Sequence, residues 1–169
     1  MELSPETLEK IDKIVPRYPQ KRSATMPLLH LVQEEKGFLS REAIEWIAAK
    51  LDLEPVNVYE LVTFYPMFRE EPIGRRHIKV CRTLSCALNG AYELKNQLQK
   101  QLIGEDAGDS NEDYTIEFVE CIACCGSAPV VQVDKTMHEY CAPAKASELA
   151  DQIKNETEQM KQYESSATH

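Results

Sequence analysis

Four cysteines in two pairs are the side chains of this sequence best suited to chemistry. The pairs lie in the segments Cys81-Arg-Thr-Leu-Ser-Cys86 and Cys121-Ile-Ala-Cys-Cys125. Each iron of a [2Fe-2S] cluster takes two thiolates, so two cysteine pairs can supply one pair per iron. Four cysteines also bind structural zinc, usually with two to four residues between paired ligands, so the spacing leaves zinc open. Of the two, we favour the iron-sulfur cluster.

A thiol-disulfide centre is a further alternative, because two residues separate Cys121 from Cys124. A redox pair of this spacing belongs between a strand and the helix that follows it. In this sequence that place is taken by Cys81 and Cys86, which are separated by four residues, so we rank the disulfide centre below a metal site. Cys124 and Cys141 are left over, and we expect both to be buried as small hydrophobic residues.

Composition limits the partners and the location of the chain. Its 169 residues, 43% of them hydrophobic, are enough for one packed domain or a small domain with an extension. A net charge of −9 disfavours binding to nucleic acid, which requires clustered lysine and arginine. No stretch approaches the ~18 apolar residues of a membrane span, and the N-terminus lacks the features of a signal peptide. We therefore expect a cytoplasmic protein without direct membrane insertion.

Helical signals dominate the first half of the chain. Ser4 and Ser40 precede apolar stripes as N-cap residues do, Pro5 suits a first helical position, and Gly37 is a helix stop. The predicted helices begin near residues 5, 23, 41 and 55. The aromatic segment 64–68 is expected to supply core, or else a docking surface. The sequence thus predicts a small helical bundle as the N-terminal domain, residues 1–74.

The apolar periodicity changes after a polar break at residues 70–74. The predicted strands are residues 77–80, 114–119 and 130–133, with an edge strand over 137–140. The predicted helices run from residue 85 or 86 to 102 and from 144 to 155, and an acidic loop covers 104–113. This order indicates an α+β fold in which a thioredoxin-like four-stranded sheet with flanking helices spans residues 75–155. Residues 156–169 are expected to form a flexible tail.

These elements would bring the four cysteines together. Cys81 ends a strand and Cys86 begins a helix, while Cys121 and Cys125 follow the next strand. If the two strands are parallel neighbours, both loops leave the same edge of the sheet. Three side chains near the sulfurs could donate hydrogen bonds that tune a cluster: Arg82, Thr83 and Ser127.

Further segments accompany the cysteine pairs in a fixed order. They are Tyr18-Pro19, Arg22-Ser23-Ala24, Pro27-Leu28-Leu29-His30-Leu31-Val32-Gln33-Glu34, Gly37-Phe38-Leu39-Ser40, Val62-Thr63-Phe64-Tyr65 and, after the second cysteine pair, Pro129. In order and spacing, over about residues 12–155, the chain resembles the E-type subunits of bacterial NADH:quinone oxidoreductase, respiratory complex I. That family carries a thioredoxin-like [2Fe-2S] ferredoxin domain.

The resemblance implies that Cys81, Cys86, Cys121 and Cys125 ligate one [2Fe-2S] cluster. It also implies a partner subunit that carries flavin and oxidises NADH, with the helical N-terminal segment contributing to docking. The six glycines of this chain form no nucleotide-binding pattern, so we expect FMN and NADH on the partner subunit only. One departure is Cys124, which stands where the family usually has another residue; the family spacing favours Cys125 as the ligand.

The expected function is one-electron transfer with the partner's flavin inside NADH:quinone oxidoreductase. The chain would act as a subunit of that enzyme, peripheral to the inner membrane through the complex, and we expect no catalysis from the isolated chain. Two alternatives remain: an equivalent diaphorase subunit of an NAD-linked hydrogenase or formate dehydrogenase, and a stand-alone thioredoxin-like ferredoxin. The helical extension before residue 75 disfavours the second, because a free shuttle has no evident need for it.

Overall fold

Two compact units make up the chain, Met1–Pro72 and a second unit that begins at Ile73. The structure, a computed structural model, describes residues 1–105 and 107–167. No helix in these two ranges is both long enough and apolar enough to cross a membrane. Each unit has its own buried apolar cluster.

The first unit is the helical bundle predicted from the sequence. Its helices are α1 (Pro5–Ile14), α2 (Thr25–Lys36), α3 (Arg41–Leu51) and α4 (Pro55–Phe64). The hydroxyl of Ser4 accepts a hydrogen bond from the N–H of Thr7 and caps α1, and Ser40 caps α3 in the same way. Gly37 ends α2 with a φ of +83°, a left-handed conformation that glycine adopts without strain.

A buried glutamine fixes the aromatic segment that follows α4. The side-chain amide of Gln33 donates to the carbonyl of Met67 at 2.8 Å and accepts from the N–H of Arg69 at 2.8 Å. Phe68 is buried beside this clamp, whereas Phe64 is 76% exposed and Met67 is also exposed. The segment therefore supplies both core and surface, rather than mainly core.

The second unit contains the four-stranded sheet expected from the sequence. Its elements are β1 (Arg76–Cys81), α5 (Leu84–Leu88), α6 (Ala91–Leu102), β2 (Tyr114–Val119), β3 (Val131–Val133), β4 (Thr136–His138) and α7 (Ala146–Ala167). The strand order is β2-β1-β3-β4, with β1 and β2 parallel and the other pairs antiparallel. The core combines apolar side chains of β1, β2 and β3 with those of α6 and α7.

The helix predicted from residue 85 or 86 to 102 is two helices, because the chain turns at Gly90. Gly90 has a φ of +91°, which disfavours any residue with a side chain. A Cβ atom placed there would also lie 2.8 Å from the Cγ atom of Pro143, a clash with a segment about fifty residues away in the chain. The turn separates the short helix that carries Cys86 from the longer α6.

The last helix is twelve residues longer than the sequence predicts, so residues 156–167 are helical where a flexible tail is expected. Contacts with distant segments anchor this part: Glu156 accepts from the buried guanidinium of Arg76 at 2.8 Å, and Lys161 donates to Asp113 at 2.8 Å. Thr157 is fully buried. Residues 168–169 of the expected tail lie outside the described residues, as does residue 106 of the acidic loop.

Candidate metal centre

The carboxyl ends of β1 and β2 form the edge of the sheet at which the cysteine pairs lie. The strands are parallel, and Cys81 at the end of β1 is the register partner of Val119 at the end of β2. The N–H of Arg82 donates to the carbonyl of Val119 at 3.0 Å, so the chains are still side by side where they leave the strands. The prediction that both cysteine loops share one edge is therefore confirmed.

The first cysteine pair is buried, with Cys81 on β1 only 2% exposed and Cys86 on α5 only 3% exposed. The two sulfurs are hydrogen-bonded to each other. Burial, reinforced by this hydrogen bond, raises the pKa of Cys86 to about 11. Burial also acts to raise the pKa of Cys81, but hydrogen bonds, first from the hydroxyl and the N–H of Thr83, outweigh it and lower that pKa. One thiol of the pair therefore favours the thiolate form and the other resists it.

The second cysteine pair is exposed. The Sγ atoms of Cys121 and Cys125 are 3.5 Å apart. Ala123 lies between them with a φ of +61°, and its N–H donates to the Sγ of Cys121 at 3.3 Å. This backbone hydrogen bond is the main cause that lowers the pKa of Cys121, while the hydrogen bond from Cys121 is the main cause that raises the pKa of Cys125.

The sulfurs of the two pairs also interact with one another. Cys81 interacts electrostatically with Cys121 and Cys125, and Cys86 interacts with Cys125. Within the described ranges, no three His, Cys, Asp or Glu side chains are gathered around one point as ligands of a single metal ion. Two thiolates bound at about 2.3 Å to one tetrahedral metal are about 3.8 Å apart, close to the separation of Cys121 and Cys125. Four thiols in two neighbouring pairs are a donor set that fits a [2Fe-2S] cluster.

The two remaining cysteines have other partners. The Sγ of Cys124 is 3.2 Å from the Oγ of Ser127 and donates to a carboxylate oxygen of Glu139 at 3.3 Å. Cys141 is buried as expected and donates to the carbonyl of His138 at 3.2 Å. Cys124 is only half-buried, so the expectation of full burial is wrong for this residue.

The three predicted hydrogen-bond donors have different partners in the structure. The guanidinium of Arg82 binds the carboxylate of Glu120, with the shortest N–O distance 2.6 Å. The hydroxyl of Ser127 contacts the side chain and the carbonyl of Cys124. The hydroxyl of Thr83, by contrast, lies 3.3 Å from the sulfur of Cys81. The structure thus brings Thr83 to a predicted cluster ligand and directs the other two side chains elsewhere.

Backbone donors are the part of the site that the sequence analysis missed. Besides Ala123, the N–H of Ile122 hydrogen-bonds to Cys81, and the N–H of Val130 hydrogen-bonds to Cys86. An N–H group is common to every residue except proline, so its direction leaves no signal in the sequence. Only the path of the loop after β2 shows which of these groups reach the sulfurs.

Comparison with known proteins identifies similar sequences along most of the chain. A family model described as thioredoxin-like [2Fe-2S] ferredoxin matches residues 11–154. One NADH-quinone oxidoreductase E subunit of Rhizobium meliloti (strain 1021), the one numbered 2, is 39% identical over 148 residues, which cover 86% of this chain and 88% of that protein. The NADH-quinone oxidoreductase E subunit of Rickettsia bellii (strain RML369-C) is 34% identical over 155 residues, covering 89% of this chain and 93% of that protein.

A solved structure has a similar fold at lower sequence identity. The crystal structure of an NAD+-reducing [NiFe]-hydrogenase in the air-oxidised state aligns with a TM-score of 0.61 and 17% identity. The alignment covers 76% of this chain but only 23% of the hydrogenase chain. At this identity the likeness concerns the fold alone.

Proposed function

The chain belongs to the thioredoxin-like [2Fe-2S] ferredoxin family, and from this membership we propose that it is an electron-transfer subunit of an NADH:quinone oxidoreductase. The observation that carries the proposal is the meeting of two cysteine pairs at one edge of the sheet. The two relatives from NADH-quinone oxidoreductases share 39% and 34% identity with nearly the whole chain. They favour this enzyme over the alternatives of an NAD-linked hydrogenase or formate dehydrogenase.

In this proposal Cys81, Cys86, Cys121 and Cys125 hold one [2Fe-2S] cluster, with one pair on each iron. A bound cluster of this kind supplies a centre that accepts and releases one electron at a time. The thiols must lose their protons to bind iron, and the chain assists this with N–H and O–H donors directed at the sulfurs. The N–H of Ala123 at 3.3 Å from Cys121 is one such donor.

The difference in burial between the pairs suggests where electrons enter and leave. Cys81 and Cys86 are buried, whereas Cys121 and Cys125 are exposed. The buried pair lies against the apolar core, where water is excluded. We therefore place the surface that faces the electron-exchange partner at the loop of residues 121–125.

The partner in this proposal is a subunit that binds FMN and oxidises NADH, and the helical unit contributes to the docking surface. Four exposed apolar side chains on and after α4 support a docking role: Val56, Tyr59, Phe64 and Met67. Aromatic residues and methionine are enriched in protein interfaces. The clamp by Gln33 holds the backbone at Met67 in place before binding, which lowers the entropic cost of docking.

The proposed location follows from the complex. We place the chain at the cytoplasmic side of the membrane, attached through its partner subunits, with no contact to nucleic acid. Its excess of negative charge supports the last point, because phosphate binding depends on clustered lysine and arginine.

Co-expression with the NADH- and flavin-binding subunit of the same organism tests this function. We expect the two chains to purify together with FMN, and added NADH to reduce the cluster of this chain as followed by electron paramagnetic resonance. The chain alone should not oxidise NADH, and the signal should be missing in the Cys121→Ser variant. A cluster-bearing chain that neither binds this partner nor is reduced by NADH in its presence would contradict the proposal.

A further inference from the structure

One threonine hydroxyl contacts a cysteine from each pair. The Oγ1 atom of Thr83 lies 3.3 Å from the Sγ of Cys81, and the same hydroxyl hydrogen-bonds to the sulfur of Cys121. Cys81 ends β1, while Cys121 lies in the loop that follows β2, so these sulfurs are forty residues apart in the chain. Thr83 is thus the side chain that links the two halves of the proposed cluster site.

The position of Thr83 in the fold makes this contact unusual for its residue type. Thr83 is the N-cap residue of α5, where a threonine hydroxyl commonly accepts a hydrogen bond from an N–H in the first turn. In this structure the hydroxyl makes no such cap. The five-residue helix therefore begins without the stabilisation that Thr83 could provide, and the hydroxyl is used at the sulfurs instead.

A hydroxyl at this place acts differently on the two oxidation states of a cluster. Thiolates carry no proton, so the O–H of Thr83 can only donate to them. A hydrogen bond to a charged acceptor is stronger than one between neutral groups. Reduction adds one electron and transfers no atom, so the sulfurs become more negative and the hydrogen bond stabilises the reduced state more than the oxidised state. Hydrogen bonds to the sulfurs are among the factors that set the potentials of such clusters.

We propose that Thr83 is a positioning residue that raises the reduction potential of the cluster by donating its hydroxyl hydrogen to the ligand sulfurs of Cys81 and Cys121. This inference rests on the proposed function, because it requires the cluster to be held by the four cysteines. Arg82 and Ser127 do not share the role, since their side chains are engaged by Glu120 and Cys124.

Redox titration of the reconstituted full chain tests the proposal with two matched variants. Thr83→Ser and Thr83→Ala both remove the methyl group and differ only in the hydroxyl. We expect the serine variant to keep the potential of the unsubstituted chain. In the alanine variant, the ratio of reduced to oxidised cluster at a fixed potential should fall about tenfold, which corresponds to a potential about 59 mV lower for one electron. The Ser127→Ala variant removes a neighbouring hydroxyl that contacts Cys124 and should leave the potential unchanged.

Two results would overturn the proposal. One is an alanine variant that holds the cluster and has the same potential as the serine variant. The other is an equal shift in both variants, which would assign the effect to the methyl group. If Thr83→Ala fails to hold a cluster, Thr83→Val replaces it in the comparison, since valine keeps the branched shape without the hydroxyl. Failure of the unsubstituted chain to bind iron and sulfide would instead refute the proposed function, and this inference with it.

Discussion

Replacing Cys125 with serine is expected to remove most of the [2Fe-2S] cluster, whereas replacing the adjacent Cys124 with serine should leave it in place. The Sγ of Cys125 is 3.5 Å from the Sγ of Cys121, a separation suited to two ligands of one iron. The Sγ of Cys124 is instead held by Ser127 and Glu139. Changes behind a metal ligand already cost about 10- to 100-fold in affinity, so loss of a ligand should cost at least as much.

Iron and acid-labile sulfide content, measured after anaerobic reconstitution, distinguish the two cysteine variants. The Cys124→Ser variant is the matched control, because it makes the same chemical change one residue away. We expect its cluster content and its reduced-state spectrum to equal those of the unsubstituted chain. Full cluster content in Cys125→Ser together with loss in Cys124→Ser would assign the ligand role to Cys124.

Truncation of Leu98 on α6 should destabilise the second unit by about 2–5 kcal/mol, the usual cost of a leucine-to-alanine change in a packed core. Leu98 is fully buried in the cluster that contains Ile78 of β1 and Ile116 of β2. Because Cys86 belongs to the same cluster, packing around Leu98 helps to keep the cysteine edge in place. The cost combines the lost apolar contact with the cavity that the smaller side chain leaves.

Native-state hydrogen exchange of the peptides that contain β1 and β2 measures this effect, because it reports the free energy of opening for each segment. Leu88→Ala is the matched control: Leu88 is 78% exposed on α5, and its truncation should change stability by no more than about 0.5 kcal/mol. Equal loss of protection in the two variants would contradict the packing described for α6.

The parts of the fold that the sequence predicted are those set by neighbouring residues. Ser4 and Ser40 mark helix starts through caps that depend on residues three positions away. Alternating burial identifies strands in the same local way. The parallel pairing of β1 and β2 follows from a helix between two strands of one sheet, and it was the step that placed the cysteines at one edge.

What the sequence could not predict depends on segments far apart in the chain. Gly90 breaks the predicted helix where Pro143 leaves no room for a side chain. The end of α7 is held by Arg76 and by the contact of Lys161 with Asp113, which a local composition argument treats as solvated charge. Both corrections arise from tertiary contacts that outweigh the local preference.

The candidate site shows the same division. The four cysteines are evident from residue type and spacing, and Thr83 could be named as one of three candidate donors. Its choice over Arg82 and Ser127 depends on where Glu120 and Cys124 lie in space. The N–H groups that reach the sulfurs depend on the path of the backbone, which the residue types do not fix.

Iron, zinc and acid-labile sulfide content of the anaerobically prepared chain tests the central claim most directly. The account predicts about two irons and about two sulfides per chain, with a paramagnetic signal of the [2Fe-2S] kind after reduction. Stoichiometric zinc without sulfide would contradict it, because four cysteines would then serve a structural metal that carries no electron.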